Sequence, residues 1–185
     1  MFNDRYHHTN AVIEERKTRA TQIMAGIDFP VNMVMGRVLP DKDGKIYAVA
    51  NGENIIVKLR YKVGEVVAVA QCYNDVVQKF TDLAFVPGST NKMFVRADLM
   101  PHQIRIIGIR CERLRDISDE ECIKEGVYAG SQALEYPYYF IDTQFLICDY
   151  KSPRRAFAAL IDKVSGRGTW DRNPWVVVYE FELVK

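Results

Sequence analysis

Short segments rich in β-branched residues, separated by turn signals, fill the middle of the chain and constrain its fold more than any other feature. Such segments form strands, and a dipeptide such as Asn51-Gly52 favours a tight hairpin between two of them. The regular alternation of strands and helices that a doubly wound α/β fold requires is absent from the pattern. The first four predicted strands are 31–39 (VNMVMGRVL), 45–50 (KIYAVA), 54–61 (NIIVKLRY) and 65–73 (EVVAVAQCY).

The second half of the chain adds three predicted strands. Gly108 interrupts the second of them, and a glycine inside a strand is typical of a bulge where a barrel strand bends. We therefore expect the strands within 31–72, 92–114 and 175–184 to form one closed or nearly closed sheet. The three segments are 92–100 (KMFVRADLM), 103–114 (QIRIIGIRCERL) and 175–184 (WVVVYEFELV).

Helix signals surround these strands and place the chain in the α+β class. Thr9 is a good N-cap for a first helix through 11–24 (AVIEERKTRATQIM), which a glycine stop follows. Ser118 and Glu121 form a capping-box pattern for a helix that should end at Gly126. The aromatic-rich stretch from 127 to 150 has no clear assignment. Two further predicted helices are 74–82, which is short, and 154–166, which follows Ser152-Pro153.

Composition narrows the class of protein. The 185 residues fit one domain, 1–185, with a substantial core. Lys and Arg number 25 against 24 Asp and Glu, whereas a protein that coats long duplex DNA carries a surplus of cations. No signal-peptide core follows Met1, and no apolar run approaches the roughly 20 residues needed to cross a bilayer. We therefore expect a cytoplasmic protein without a membrane partner.

The cysteines and histidines argue against a metal or cofactor site. A zinc site usually shows a close Cys pair, or Cys and His a few residues apart, and neither pattern is present. We expect free thiols, no metal and no cofactor. The residues concerned are Cys72, Cys111, Cys122, Cys148, His7, His8 and His102.

Three segments together resemble phage and prophage proteins related to ASCH domains, within the PUA-like superfamily. They are FNDRY with AVIEERKT near the amino terminus, IRCERLRDISDEECIKEG at 109–126, and WDRNPWVVVYEF at 170–181. The resemblance implies a PUA-like (ASCH-type) mixed β-barrel, with helices closing the barrel mouth. It also implies a cleft for RNA, a nucleotide or a modified nucleoside.

The resemblance carries over a pair of site residues. In the amidohydrolase branch of the family a Lys, a Thr shortly after it and a Glu from a later helix carry the reaction. Lys17 matches the Lys and Glu125 matches the Glu, but Glu15 replaces the usual Gly and Ala20 stands where the Thr would be. On a continuous helix Thr21 would point about 100° away from that position. We therefore expect little or no amidohydrolase activity, because a methyl group is no nucleophile.

Four other side chains are candidates for binding a ligand. Arg19 and Arg96 are suited to a phosphate rim, Trp170 can stack on a base, and the amide of Asn173 can pair with a base edge. Each has a plainer interpretation, since exposed arginines serve solubility, an indole packs in a core, and Asn-Pro is a turn signal.

These observations leave three functions open. The first is a nucleic-acid or nucleotide-binding module of PUA-like type that recognises a modified base. The second is a hydrolase that acts on a modified pyrimidine nucleoside through Lys17 and Glu125. The third is a phage accessory protein that serves as a scaffold for protein contacts. The sequence alone does not decide whether the chain is an enzyme.

Overall fold

A computed structural model of the chain describes residues 8–24, 35–40, 46–50, 53–57, 59–76, 86–130, 139–141 and 150–184, with backbone alone for the stretches between 35 and 57. The architecture is mixed α+β and contains a curled antiparallel sheet of half-barrel form. The helices are α1 (His8–Ile13), α2 (Asp119–Lys124), α3 (Pro153–Ser165) and α4 (Thr169–Arg172). The strands are β1 (Arg19–Ile23), β2 (Met35–Pro40), β3 (Ile46–Ala50), β4 (Glu53–Val57), β5 (Val66–Ala68), β6 (Gln103–Arg113), β7 (Tyr128–Ala129), β8 (Tyr139–Phe140) and β9 (Trp175–Val184).

The main sheet has four antiparallel strands in the order β1-β9-β6-β5. Its two long strands, β6 and β9, pair along almost their whole length, from Gln103 opposite Val184 to Arg113 opposite Trp175. The register shifts between Ile106 and Gly108, which confirms the predicted bulge.

A second sheet has the order β2-β3-β4 and shares no strand pairing with the first. The two sheets come close where β2 lies near β6. The prediction of one continuous sheet through 31–72, 92–114 and 175–184 is therefore wrong for the described strands. The hairpin prediction holds for its strands, because β3 and β4 pair with Ala50 opposite Glu53. The turn residues Asn51 and Gly52 lie outside the described residues.

The predicted strand at 92–100 is also wrong. Two 3₁₀ turns, Lys92–Phe94 and Ala97–Leu99, take its place. Asn91 begins the first of these by accepting a hydrogen bond from the backbone N–H of Met93, a local bond that competes with strand pairing.

The first predicted helix is correct only in its first half. α1 ends at Ile13, and the chain then turns at Glu15, whose φ of 58° lies in the left-handed region. Residues 19–23 form β1 instead of continuing the helix. The pairing of β1 with β9 overrides the helical propensity of this segment, since tertiary context outweighs a weak local preference.

The predictions of the two later helices, α2 and α3, are confirmed. Ser118 caps α2 through a capping box with Glu121, and Gly126 follows its C-terminal residue with φ of 101°. Ser152 caps α3, Pro153 lies in the first turn, and Gly166 follows the end. Of the predicted helix at 74–82, a 3₁₀ turn at Tyr73–Val76 is described. Most of the aromatic stretch within 127–150 lies outside the described residues.

The core lies on both faces of the main sheet because β9 buries both of its faces. Val176 and Val178 point toward α2 and α3, where they pack with Phe157 and Leu160. The alternate residues of β9 point to the opposite face, and these are Val177, Tyr179 and Phe181. The described helices include none long and apolar enough to cross a membrane.

Candidate functional site

Lys17 and Glu125 form a buried ion pair between the start of β1 and the end of α2. The Lys17 Nζ atom lies 3.0 Å from Glu125 Oε2 and also donates to the Glu125 carbonyl oxygen. Each residue is 4% exposed. The predicted approach of these two side chains is thus found in the structure. Gly126 turns the chain directly after Glu125 with a φ of 101°, a left-handed conformation that glycine adopts without strain.

Thr21 adds a hydroxyl group to this pair. Its Oγ1 donates to Glu125 Oε1, since the strand conformation of β1 points Thr21 toward α2 and Ala20 toward the opposite face. The expectation that Thr21 points away from the site is therefore wrong, and the reason is that the helix has ended before it. Lys17, Thr21 and Glu125 form the hydroxyl–carboxylate–ammonium group.

Arg19 is buried behind this group and is 1% exposed. Its Nε atom lies 3.2 Å from Glu125 Oε1, and its two terminal nitrogens pair with Glu112 of β6 and Glu121 of α2. The interpretation of Arg19 as a phosphate-binding rim residue is wrong, because all three of its nitrogens face carboxylates of the protein itself. Arg19 instead ties α2 to the sheet.

Arg110 extends the ion pairs toward the surface. It contacts Glu112 and Glu121, two of the three carboxylates that Arg19 contacts, and also Glu180 of β9. Arginine forks suit such shared contacts, since one guanidinium can serve several carboxylates at once. The exposure rises along the chain of ion pairs from Glu125 to Glu180. The hydroxyl–carboxylate–ammonium group thus lies at the buried end of a continuous ion-pair network.

The electrostatics of Glu125 favour its charged form. Burial alone raises the pKa of a carboxyl group, but the charge of Lys17 and the hydrogen bond from Thr21 outweigh it. The result is a pKa of Glu125 below its ordinary value of 4.5. At neutral pH Glu125 is therefore charged, and it acts as a hydrogen-bond acceptor for the Thr21 hydroxyl.

A cleft of about 270 Å³, here called the β1 cleft, opens beside this group. Lys17, Thr21, Gln22 and Glu125 line one side of it. Lys17 and Glu125 are the only formally charged side chains among the described lining residues, and their charges cancel. The opposite wall comes from α3 and is apolar except for Ser165 at the end of the helix. Its apolar residues are Phe157, Leu160, Ile161 and Val164.

A second, smaller cavity of about 130 Å³ lies on the other face of the main sheet. Ala20, Tyr61 and Tyr179 contribute to its lining, which is apolar apart from the two phenol groups. The Tyr179 hydroxyl accepts a hydrogen bond from the backbone N–H of Arg60. Ala20, the position that the resemblance aligns with a Thr, packs on this face and contributes no side chain to the hydroxyl–carboxylate–ammonium group.

Arg96, Trp170 and Asn173 do not join the β1 cleft. Arg96 is exposed and pairs with Asp98, so its guanidinium is engaged by a neighbour in its own loop. Trp170 is half-buried, and its ring meets Phe157 edge to face with ring centroids 6.2 Å apart. Its indole packs on the core, which leaves it outside the described lining of the cleft.

Asn173 closes the turn between α4 and β9. Its φ of 47° and ψ of 54° place it in the left-handed region, and its side-chain oxygen accepts from the backbone N–H of Arg115 at 2.8 Å. That oxygen therefore holds the turn, and the interpretation of Asn173 as a base-pairing residue stays a prediction. Trp175 packs inward at the start of β9, with the Arg113 guanidinium over its ring at 4.5 Å.

The thiols and the histidines supply no second site in the described part of the chain. Burial raises the pKa of Cys111 and of Cys122 to about 12, so both thiols keep their protons and are poor nucleophiles at neutral pH. Within the described residues no three His, Cys, Asp or Glu side chains converge in an arrangement that could hold a metal ion. His8 is buried and lines the β1 cleft.

Comparison with known proteins does not show which family this chain belongs to. No family model, no curated protein and no solved structure matches the chain. The residues of this network that the sequence does not assign to the site are Thr21, Glu112 and Glu121. The available signal for Thr21 is that residues 19–23 also fit a strand, in which Arg19, Thr21 and Ile23 share one face.

Proposed function

We propose that this chain binds the base of a nucleoside or of a nucleic-acid strand in the β1 cleft, and that a modified pyrimidine is the leading ligand. The observation that carries the proposal is an apolar wall on α3 that lies opposite polar groups of Lys17, Thr21 and Glu125. A base needs both surfaces, since its face is apolar and its edge carries donors and acceptors.

The charges of the cleft favour a base over a phosphate as its occupant. Lys17 already faces the Glu125 carboxylate, and Arg19 is enclosed by three glutamates. A phosphate in the cleft would meet Glu125 and Thr21 without a cation free to neutralise it. An uncharged ring avoids this cost, because burying an unpaired charge is unfavourable.

Lys17 retains a donor for such a ligand. An ammonium group has three N–H donors, and in the described part of the chain two of them reach Glu125. The third can meet a carbonyl oxygen of the ligand. The curled antiparallel sheet is compatible with the PUA-like resemblance, and membership of the ASCH-related group is part of the proposal.

The test is a thermal-shift series with cytidine, N4-acetylcytidine, uridine, adenosine and a short RNA. A ligand that binds the folded state alone raises the unfolding temperature by mass action. Val164→Trp should abolish the shift, because Val164 is half exposed at the apolar wall of the β1 cleft. Val63→Trp is the matched control, since Val63 is exposed outside the described lining. Nucleoside shifts that survive Val164→Trp would refute the proposed site, and so would the absence of any shift.

A second function, hydrolysis of an acylated pyrimidine nucleoside, is favoured by the contact of the Thr21 hydroxyl with Glu125. Glu125 would take the hydroxyl proton while the Thr21 oxygen attacks the acyl carbon, and Lys17 would donate to the developing oxyanion. The C–N bond then breaks, the amine leaves with a proton, and water releases the acyl group from Thr21. Such chemistry needs no group beyond the three named and water.

The test of this second function separates binding from reaction. With N4-acetylcytidine as substrate, Thr21→Val should stop release of acetate and still allow binding, whereas Thr21→Ser should keep part of the turnover. A wild-type protein that binds N4-acetylcytidine and leaves it intact is a binding module and not a hydrolase. Turnover that survives Thr21→Val would show that another group is the nucleophile.

A further inference from the structure

Within the described residues, the outer edge of β1 presents backbone groups without a partner strand to the β1 cleft. Phe181 donates its N–H to the Thr18 carbonyl, and Met24 donates its N–H to the Trp175 carbonyl. In an antiparallel pair such hydrogen-bonded positions alternate with positions whose backbone groups point away from the partner strand. In the register of this pair Thr21 lies opposite Val178. The backbone N–H and C=O groups of the even-numbered residues of β1 therefore point toward β9.

Thr21 and Ile23 are the residues of β1 whose outward-pointing backbone groups lie at the β1 cleft. Their N–H and C=O groups point away from β9, and within the described residues β1 is the outermost strand of its sheet. Both residues line the β1 cleft. Along the edge the order is therefore the Thr21 N–H, the Thr21 C=O and the Ile23 N–H, a donor, an acceptor and a second donor. Buried or half-buried backbone groups of this kind require a partner.

We propose that this backbone edge selects the ligand of the β1 cleft, by pairing with a ring edge that carries an N–H donor next to an acceptor. The inference rests on the proposed function and adds to it the kind of edge that is read. The Thr21 C=O accepts from the ligand, and the Thr21 or Ile23 N–H donates to it. A pyrimidine with an exocyclic amino or acylamino group beside a ring nitrogen has this pattern.

A nucleobase fits this edge better than an extended peptide does. A peptide that adds a strand to a sheet needs several consecutive backbone pairs along the edge. Here the edge is closed on its amino-terminal side, because the Lys124 carbonyl of α2 accepts from Thr18 and Arg19 is fully buried. The α3 wall at Phe157 and Leu160 supplies a surface for the face of a ring.

The experiment compares cytidine with N4,N4-dimethylcytidine, which keeps the ring acceptor and lacks the exocyclic donor. We expect the dimethyl compound to bind about fivefold or more weakly, as the loss of one hydrogen bond implies. On addition of cytidine, the amide NMR signals of Thr21 and Ile23 should move downfield, since these N–H groups gain an acceptor. The signal of Gln22, which faces β9, should move least.

A backbone variant supplies the second readout. Ile23→Pro removes an outward N–H, which an edge strand tolerates, and should weaken cytidine binding about fivefold or more. Val66→Pro is the matched control, because β5 is also an edge strand and Val66 lies opposite Arg105 at a position that faces away from β6. If Ile23→Pro does not fold, the comparison of the two nucleosides in the wild-type protein decides.

The outcomes separate the two proposals. If cytidine binds, Val164→Trp blocks it, and the dimethyl compound binds as well as cytidine, the edge inference is wrong and the proposed function stands. If no nucleoside binds, both are wrong. Movement of the Thr21 and Ile23 amides with an extended peptide, and with no nucleoside, would make the edge a peptide site and overturn the inference.

Discussion

The Thr21 hydroxyl donates to the carboxylate of Glu125, although 104 positions separate the two residues in the chain. β1 and α2 bring them together, and Lys17 completes the group from the loop that precedes β1. This contact has two consequences. It joins β1 to the end of α2, and it makes Glu125 the residue that Lys17, Arg19 and Thr21 all contact.

Substitution of Glu125 should destabilise the fold strongly. Glu125→Gln removes the negative charge that faces Lys17 and Arg19, and leaves two buried cations without it. Breaking a buried ion pair by removing one partner costs about 3–5 kcal/mol. Urea unfolding of Glu125→Gln should therefore show a free energy of unfolding that is about 3 kcal/mol lower than that of the wild type. As a control, Glu182→Gln breaks an exposed pair with Arg105 and should change the free energy of unfolding by less than about 1 kcal/mol.

The double variant Lys17→Met with Glu125→Leu should be less destabilised than the sum of the two single variants. Each single change leaves a buried charge unpaired, whereas the double change removes both charges together. The measurement is a double-mutant cycle in urea at neutral pH. Additive losses would mean that Lys17 and Glu125 do not interact energetically.

The stability of the protein should fall at acid pH partly because of Glu125. Its pKa in the folded state lies below the ordinary 4.5, since Lys17, Thr21 and Arg19 outweigh the effect of burial. The unfolded state therefore binds the proton first as pH falls. The contribution of Glu125 is fully present above the unfolded pKa and is lost as pH falls through the lowered folded pKa. Unfolding curves from pH 6 to pH 3 should show a shallower acid decline in Glu125→Gln than in the wild type.

Glu15 should tolerate some substitutions and not others because of its backbone conformation. Its φ of 58° is easy for Gly and acceptable for Asn, but unfavourable for a β-branched residue. Glu15→Val should therefore cost about 1–2 kcal/mol of stability, while Glu15→Asn should stay within about 0.5 kcal/mol. Thermal unfolding of both variants checks this. Equal effects of Val and Asn would contradict the left-handed turn between α1 and β1.

Asn173 should affect stability and not ligand binding. Asn173→Val removes the acceptor for the Arg115 N–H and forces a β-branched residue into the left-handed region, a cost of about 2 kcal/mol or more. Asn173→Gly keeps the backbone conformation and should cost less. Cytidine affinity, measured on whichever variant folds, should equal that of the wild type. A selective loss of affinity would restore Asn173 to the binding site.

The parts of the fold that the sequence predicts best are those with local signals. Ser118 and Glu121 form the capping box of α2, and Ser152 with Pro153 opens α3, because these caps depend on neighbouring residues alone. Gly108 marks the bulge of β6 for a similar reason. The segment 19–23 was misassigned since its charged and β-branched residues fit either a helix or a strand until β9 pairs with it.

The candidate site is only half predictable. The resemblance to the ASCH-related proteins predicts that Lys17 and Glu125 lie close together, and their side chains form an ion pair. Thr21 was set aside because a helix was assumed there, and Arg19 was assigned to a rim because burial cannot be read from one charged residue. Arg19 is buried by three glutamates that come from two distant elements, and no spacing along the chain reveals such a contact.

A crystal structure of the protein soaked with cytidine is the decisive measurement for the β1 cleft. We expect electron density for the base in this cleft, with its face against Phe157 and Leu160 and its edge toward the backbone of Thr21. Glu125 should keep its contacts with Lys17 and Thr21 in that complex. Density for cytidine at a different surface, or in the cavity beside Tyr61 and Tyr179 on the other face of the sheet, would show that the β1 cleft is not the binding site.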